Sequence, residues 1–259
     1  ALDIARLTSS QASMAIALGW LGDYFAILGD YLTAQSYVGQ ALGICRELRT
    51  PLCEAKFLGQ LARIYYGVGE HKTTKRYCES LLAIIQQIDA PEIKGEAQTF
   101  LGHALAANNE QSAAATAYEA AIQLRQELGQ PHAEISPMVG LAAIRQAEGR
   151  ADEALELVEK CLTWLSAHGT VGVESPVLVH LKMYYILKNA ASPEKSFQVL
   201  EIAYHTLQRY AEMFSDDALR YQYLNHVKAH RHLLKLWGEK ETTHFSTGSR
   251  SISQSEVPD

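Results

Sequence analysis

Small and apolar residues return at a fixed spacing along most of this chain. Leu21, Leu61, Leu101 and Leu141 share one register 40 residues apart, and Ala34, Thr74, Ala114 and Ala154 share a second. Ala41, Leu81, Ala121 and Cys161 form a third, each followed by an aliphatic residue, Leu42, Leu82, Ile122 or Leu162. Gly29, Gly69, Asn109 and Gly149 mark a turn in the same frame. A repeat of this length is the signature of a solenoid, whose units bury their apolar faces against one another.

Within each unit the pattern predicts two helices around a tight turn. In the first unit Ser13 to Leu28 forms helix A and Leu32 to Leu48 forms helix B. Leu18, Leu21 and Phe25 supply the i, i+3, i+7 stripe of an amphipathic helix. The glycine at the turn provides the positive φ that ends a helix without Cβ strain. Gly22, Ala62, Gly102 and Ala142 let helix A approach its neighbour closely. Pro51, Pro91 and Pro131 are expected to stop helix B, since proline cannot continue a helix interior.

The repeats are expected over residues 13–208, in units of about 13–52, 53–92, 93–132, 133–172 and 175–208. The fifth is degraded. Met183, Tyr184, Ala191, Ser196, Leu200 and Ala203 continue the registers after a shift of two residues, accommodated in a loop around Ala167 to Ser175. Residues 1–12 read as the second helix of a preceding unit plus a linker, because Ala1-Leu2 parallels Ala41-Leu42; on this phase the chain is a piece of a longer protein. Residues 214–238 read as one long capping helix, running from Asp216 to Trp237, and the Ser/Thr-rich residues 239–259 as a disordered tail.

The stretch Leu18-Gly19-Trp20-Leu21-Gly22, Leu28-Gly29-Asp30-Tyr31, Ala34, Val38, Ala41-Leu42 resembles the tetratricopeptide repeat (TPR), as does Phe100-Leu101-Gly102, Asn109, Ala114, Tyr118, Ala121-Ile122. The standard unit has 34 residues, so each unit here is about six longer. HEAT and armadillo units also have about this length, but the small-residue registers and the two helices per unit fit the TPR. The resemblance implies an all-α, right-handed α-solenoid of antiparallel helix pairs. The segment from Tyr223 to Leu234, YLNHVKAHRHLL, with Leu236-Trp237 after it, is similar to the end of TPR regions in bacterial signalling ATPases of the STAND class. Where that family has a proline after the Val, this chain has Lys228. The resemblance implies a sensor region that holds a nucleotide-binding module shut, or binds a partner or inducer and releases it.

Composition narrows the classes. The chain is 47% hydrophobic and 20% charged with a formal net charge of −6, and no basic run offers a nucleic-acid surface. No apolar run approaches the 18 or so residues of a membrane span, and no leader is visible in the first residues. Cys45, Cys53, Cys78 and Cys161 lack metal-site spacing; Cys78 and Cys161 fall at apolar repeat positions, so the cysteines are expected reduced and the protein cytoplasmic.

Candidate chemistry is sparse. Gly67 to Thr74 contains Gly-Glu-His-Lys-Thr, but a phosphate loop needs glycine where His71 and Tyr66 stand, and the segment coincides with a repeat turn. His226 and His230 lie four apart without the further ligands a metal site needs, so no metal, no cofactor and no catalysis is expected. The remaining candidate is the concave face that the A helices of a TPR array line. Projected from the family, it carries Trp20, Asp23 and Ile27; Lys56, Gln60, Arg63 and Tyr66; Phe100 and His103; Ala143 and Gln146; and Lys182, Tyr185 and Lys188. Mixed rings and charges suit a protein or peptide partner, a small-molecule inducer, or the protein's own upstream nucleotide-binding module. The Lys and Asn pair with which chaperone adaptors clamp a C-terminal carboxylate is replaced by Gly19, Asp23, Gly59 and Arg63. Arg63→Ala is expected to leave stability nearly unchanged and weaken binding. The leading expectation is the sensor region of a multidomain signalling protein; the alternative is a free-standing adaptor or scaffold.

Overall fold

A computed structural model describes residues 11–86 and 88–248 of the chain, with side chains as far as Lys240. The described residues form twelve helices. Five hairpins follow one another: α1 (Gln11–Ile27) with α2 (Tyr31–Glu47), α3 (Pro51–Val68) with α4 (His71–Ile85), and α5 (Pro91–Ala107) with α6 (Gln111–Glu127). Then come α7 (Pro131–Ala147) with α8 (Ala151–His168), α9 (Pro176–Asn189) with α10 (Pro193–Ala211), and the closing helices α11 (Asp217–His226) and α12 (Lys228–Gly248). Each odd-numbered helix packs on its own partner, those after α1 also pack on the preceding even-numbered helix, and successive odd-numbered helices from α1 to α9 pack on one another. The odd-numbered helices therefore form one continuous layer, and the array is an all-α solenoid of helix pairs.

The turns explain why every hairpin closes alike. Gly29, Gly69, Asn109 and Gly149 have φ of 79°, 94°, 66° and 78°. The following amide reaches back five residues in each case, as from Asp30 N–H to the Phe25 carbonyl at 2.9 Å and from Arg150 N–H to the Arg145 carbonyl at 2.9 Å. This 6→1 bond satisfies a carbonyl that a helix end leaves open. In the fifth hairpin Ala191 takes the same role at φ 53°. The connections between hairpins use the same device at Arg49 and Gly129. The prolines have a different part from the one expected of them. Pro51, Pro91 and Pro131 each open the next odd-numbered helix, where a missing N–H costs nothing and φ is already helical.

The small-residue registers are helix contacts. Ala34, Ala41, Ala114, Ala121 and Ala154 have no exposed surface, and a Cβ on Gly22 would meet Val38 Cγ2 at 2.3 Å. In the third hairpin Tyr118 stands where the other units have Val38, Cys78 and Val158, and it is 1% exposed. Gly102 on α5 and Gly140 on α7 make room for its ring: a Cβ on either would lie 2.6 or 2.4 Å from it.

Three expectations change. The cysteines are not all thiols: Cys45 and Cys53 form a disulfide that ties α2 to α3 across the inter-hairpin turn, while Cys78 and Cys161 are buried thiols. The capping segment is two helices, interrupted at Val227, whose ψ of 122° is extended. The backbone expected to be disordered from residue 239 continues as helix to Gly248; residues 249–259 and the first ten residues lie outside the described ones.

The closing helices also do more than cover the last hairpin. A Cβ on Gly29 would sit 2.8 Å from His226, and the Lys228 ammonium donates to the Val68 carbonyl. Leu28 of the first hairpin shares a buried apolar cluster with Tyr223 and Leu233. The end of the array thus returns to the turns of its first two hairpins.

Candidate functional site

Two rows of the odd-numbered helix layer carry many of the residues predicted to line the concave face. Asp23, Arg63 and His103 occupy one 40-residue register, and Trp20, Gln60 and Phe100 the next. The structure joins the first two units directly. The Asp23 carboxylate accepts from Gln60 Nε2 at 2.9 Å and from the Arg63 guanidinium, while Glu96 lies 4.0 Å from Arg63. Burial opposes the Arg63 charge, but Glu96, Asp23 and Glu174 outweigh it and hold the guanidinium pKa above its ordinary value. Arg63 is thus a crosslink between α1, α3 and α5. Removing it would leave Asp23 and Glu96 without their shared cation, so Arg63→Ala is expected to cost stability, contrary to the sequence expectation.

Deeper in the layer, Tyr66, Phe100, His103 and Lys182 meet. Tyr66 stacks on the His103 ring at 5.1 Å and meets the Phe100 ring edge at 5.8 Å; the Lys182 ammonium lies 5.9 Å from the Tyr66 centroid. Phe100 and His103 are only 3% and 5% exposed, so they support the groove and do not present themselves to a partner. His103 Nδ1 lies 2.8 Å from the Tyr118 hydroxyl and 3.5 Å from Lys182, and its Nε2 lies 3.1 Å from Ser136 Oγ. Lys182 can only donate, so Nδ1 is the acceptor and Nε2–H donates to Ser136. Burial, helped by Lys182, pushes the His103 pKa well below its ordinary value; the ring is neutral.

Other predicted positions stay apart. Trp20 is 63% exposed on α1, beside Tyr24 at 41% and Ile27 at 55%. Lys56 is exposed on α3, and Ala143 on α7. Gln146 donates to the Ile186 carbonyl at 2.8 Å and Tyr185 pairs with His232 at 2.6 Å, so both are engaged within the fold; Lys188 lies 5.7 Å from the Tyr184 ring. His230 is buried and bonded to the Tyr223 carbonyl at 2.7 Å, and burial lowers its pKa to about 4. Gly67 to Thr74 spans the end of α3, the turn at Gly69 and the start of α4, whose N-cap is Glu70. Among the described residues no helix is long and apolar enough to cross a membrane, and no three His, Cys, Asp or Glu side chains gather as metal ligands.

One residue at the centre of the site had no signal in the repeat pattern. Glu174, from the loop between α8 and α9, lines a narrow cavity with Tyr66, His103, Ser136 and Lys182, with room for about one water. Its Oε1 is buried without a hydrogen-bond partner. Burial drives its carboxyl up to about 7 and Glu96 adds to this, against the pull of Arg63, Arg125 and Lys182. The glycines of this loop announced an insertion; that the insertion turns inward was not legible.

No family model and no curated protein matches this chain. Among solved structures it is similar to BtubC (BKLC) from P. vanneervenii, with a TM-score of 0.61 and 17% identity over 83% of this chain and 88% of that one. A Podosopora anserina chain of nearly identical TPR-like repeats superposes with a TM-score of 0.56 and 17% identity over 79% and 99%. The Rap conjugation gene regulator of the plasmid pLS20, in complex with the Phr* peptide, gives 0.62 and 15% over 86% of this chain and 62% of that one. These likenesses show the fold: the hairpins are TPR-type repeats.

Proposed function

We propose that this chain is a non-enzymatic recognition domain that binds a protein or peptide segment along the odd-numbered helix layer, as the sensor region of a larger signalling protein. The observation that carries this reading is the open end of the site. Trp20, Tyr24 and Ile27 expose three large apolar side chains on successive turns of α1, which also carries Asp23, paired with Arg63 of α3, where Lys56 is exposed. An aromatic anchor rimmed by charges is the composition of a recognition hot spot, since a rigid ring gives contact area at little entropic cost. The peptide complex of the pLS20 Rap regulator, a fold neighbour, supports the same reading. The segment similar to the STAND ATPases supports the sensor role, in which this strip holds a nucleotide-binding module of the same polypeptide until a peptide or small-molecule inducer competes.

Selection of a random dodecapeptide library on the immobilised protein tests this. Enriched peptides are expected to lose most of their binding to Trp20→Ala and Lys56→Glu variants of unchanged melting temperature. Enrichment that survives both changes would place binding elsewhere.

A further inference from the structure

Two distant parts of the chain meet at one seam, and a cleft opens along it. On one side stand the first hairpin turn, the start of α2 and the end of α3; on the other is the last part of α11. The seam is tight at one point, where a Cβ on Gly29 would lie 2.8 Å from His226 and 3.0 Å from the Val227 nitrogen. Helix α11 ends there because Val227 is extended, and Lys228, the first residue of α12, donates to the Val68 carbonyl. Beside this contact the two sides part. They leave a cleft of about 380 Å³ lined by Tyr31, Leu32, Gln35, Val68, Gln222 and His226, a volume within the range of small-ligand sites.

The lining selects a class of ligand. Its charges are largely engaged: the Asp30 carboxylate at the edge accepts from the Thr33 N–H at 3.2 Å to cap α2, and Lys228 is held by Val68. Burial raises the Tyr31 pKa, so its hydroxyl stays neutral, and His226 meets the edge of the Tyr221 ring at 6.3 Å. Gln35 and Gln222 are half-buried, yet neither side chain makes a hydrogen bond among the described residues. A carboxamide both donates and accepts, so two of them match the N–H and C=O of a peptide group. Tyr31, Val68 and Leu32, the last 81% exposed, supply apolar surface for a side chain next to that group.

We propose that this seam is a second binding site, that it takes a short uncharged peptide segment with aliphatic side chains, and that the bound segment holds the closing helices on the first hairpin. None of the lining residues belongs to the strip that carries Trp20 and Lys56. Gln35 comes from one side of the seam and Gln222 from the other, so the site is whole only when the array is closed. A ligand that needs both sides favours the closed form by mass action. The seam thereby couples an effector to the spacing between the first and last parts of the array.

The probe is N-acetyl-Leu-Leu-amide, with N-acetyl-Asp-Asp-amide as its charged counterpart. Saturation-transfer NMR titrations to about 10 mM compare the parent with Gln35→Ala, Gln222→Ala and Lys228→Ala variants. The parent is expected to bind the leucine probe at least about tenfold tighter than the aspartate one, and each glutamine change to weaken it about fivefold. Lys228→Ala, which loosens the seam without lining the cleft, should weaken it as well. Hydrogen exchange at residues 226–230 should slow when the probe is present. No binding by the parent, or equal binding by the parent and both glutamine variants, would overturn the site. Binding that leaves exchange at residues 226–230 unchanged and survives Lys228→Ala in full would overturn the coupling to closure.

Discussion

The Tyr118 hydroxyl lies 2.8 Å from His103 Nδ1, and this contact joins the two helix layers at the centre of the array. Tyr118 belongs to α6, yet its ring passes between Gly102 and Gly140 to reach a histidine on α5. Burial raises its pKa, so the hydroxyl keeps its proton and serves as donor. Tyr118→Phe should therefore leave a buried imidazole nitrogen short of its main donor, at a cost of about 1–3 kcal/mol in urea unfolding. Gly140→Ala should cost at least as much, because the new methyl would overlap the Tyr118 ring. An unchanged midpoint in either variant would remove this pair from the account of the core.

Protonation should act in two opposed directions. Burial holds His103, His180 and His230 below their ordinary 6.5, His230 to about 4. As pH falls below 6.5 the unfolded chain takes up protons that the folded one refuses, so their contribution is present above 6.5 and lost toward pH 4. Glu174 has the other sign. Folded, it keeps its proton up to about 7, whereas unfolded it releases it near 4.5, so stability falls as pH rises through that interval. Urea midpoints of the parent and Glu174→Gln should coincide near pH 4.5 and separate by pH 8, with the variant higher. A difference that does not vary with pH would contradict the burial of this carboxyl.

Ala191 offers a test of the turn register. It holds φ 53° where three other units have glycine. Ala191→Gly should raise stability by about 1 kcal/mol, since the left-handed region penalises a Cβ and the gain exceeds the entropy of an added glycine. Thermal unfolding checks the sign. A lower melting temperature would show that the fifth hairpin turns differently.

The Cys45–Cys53 bond closes a loop with a sequence separation of 8. Chain-entropy arguments give such a loop about 2.5 kcal/mol, lost in Cys53→Ala and in excess reductant alike. Thiol titration of the denatured, unreduced protein should find two of the four cysteines reactive, whereas four would show the bond absent.

The parts of the fold that repeat were readable from sequence, and those that occur once were not. Gly29 to Gly149 gave the turns, and Ala34 to Ala154 the helix contacts, because one physical requirement recurs at one spacing. Pro51 was read as a stop, since proline marks a helix boundary without saying which side of it the helix lies on; its structural place is a start. Glu174 occurs in a single loop, and only the tertiary path reveals that its side chain lines a cavity with Tyr66, His103 and Lys182. The interruption at Val227 lay hidden in a long amphipathic pattern. Lys228 is the first residue of α12, so the helix restarts directly after Val227. Phe100 and His103 lie on α5, and their burial, with Tyr66, Tyr118 and Lys182 around them, depends on tertiary packing that a repeat register does not carry.

The most direct test of the recognition reading is a hydrogen-exchange footprint of the protein bound to its best library-selected peptide. Protection should concentrate in α1 and α3, around Trp20, Asp23, Lys56 and Arg63, with α2, α4 and α6 unchanged. Protection confined to the even-numbered helices, with α1 and α3 exchanging as in the free protein, would contradict it.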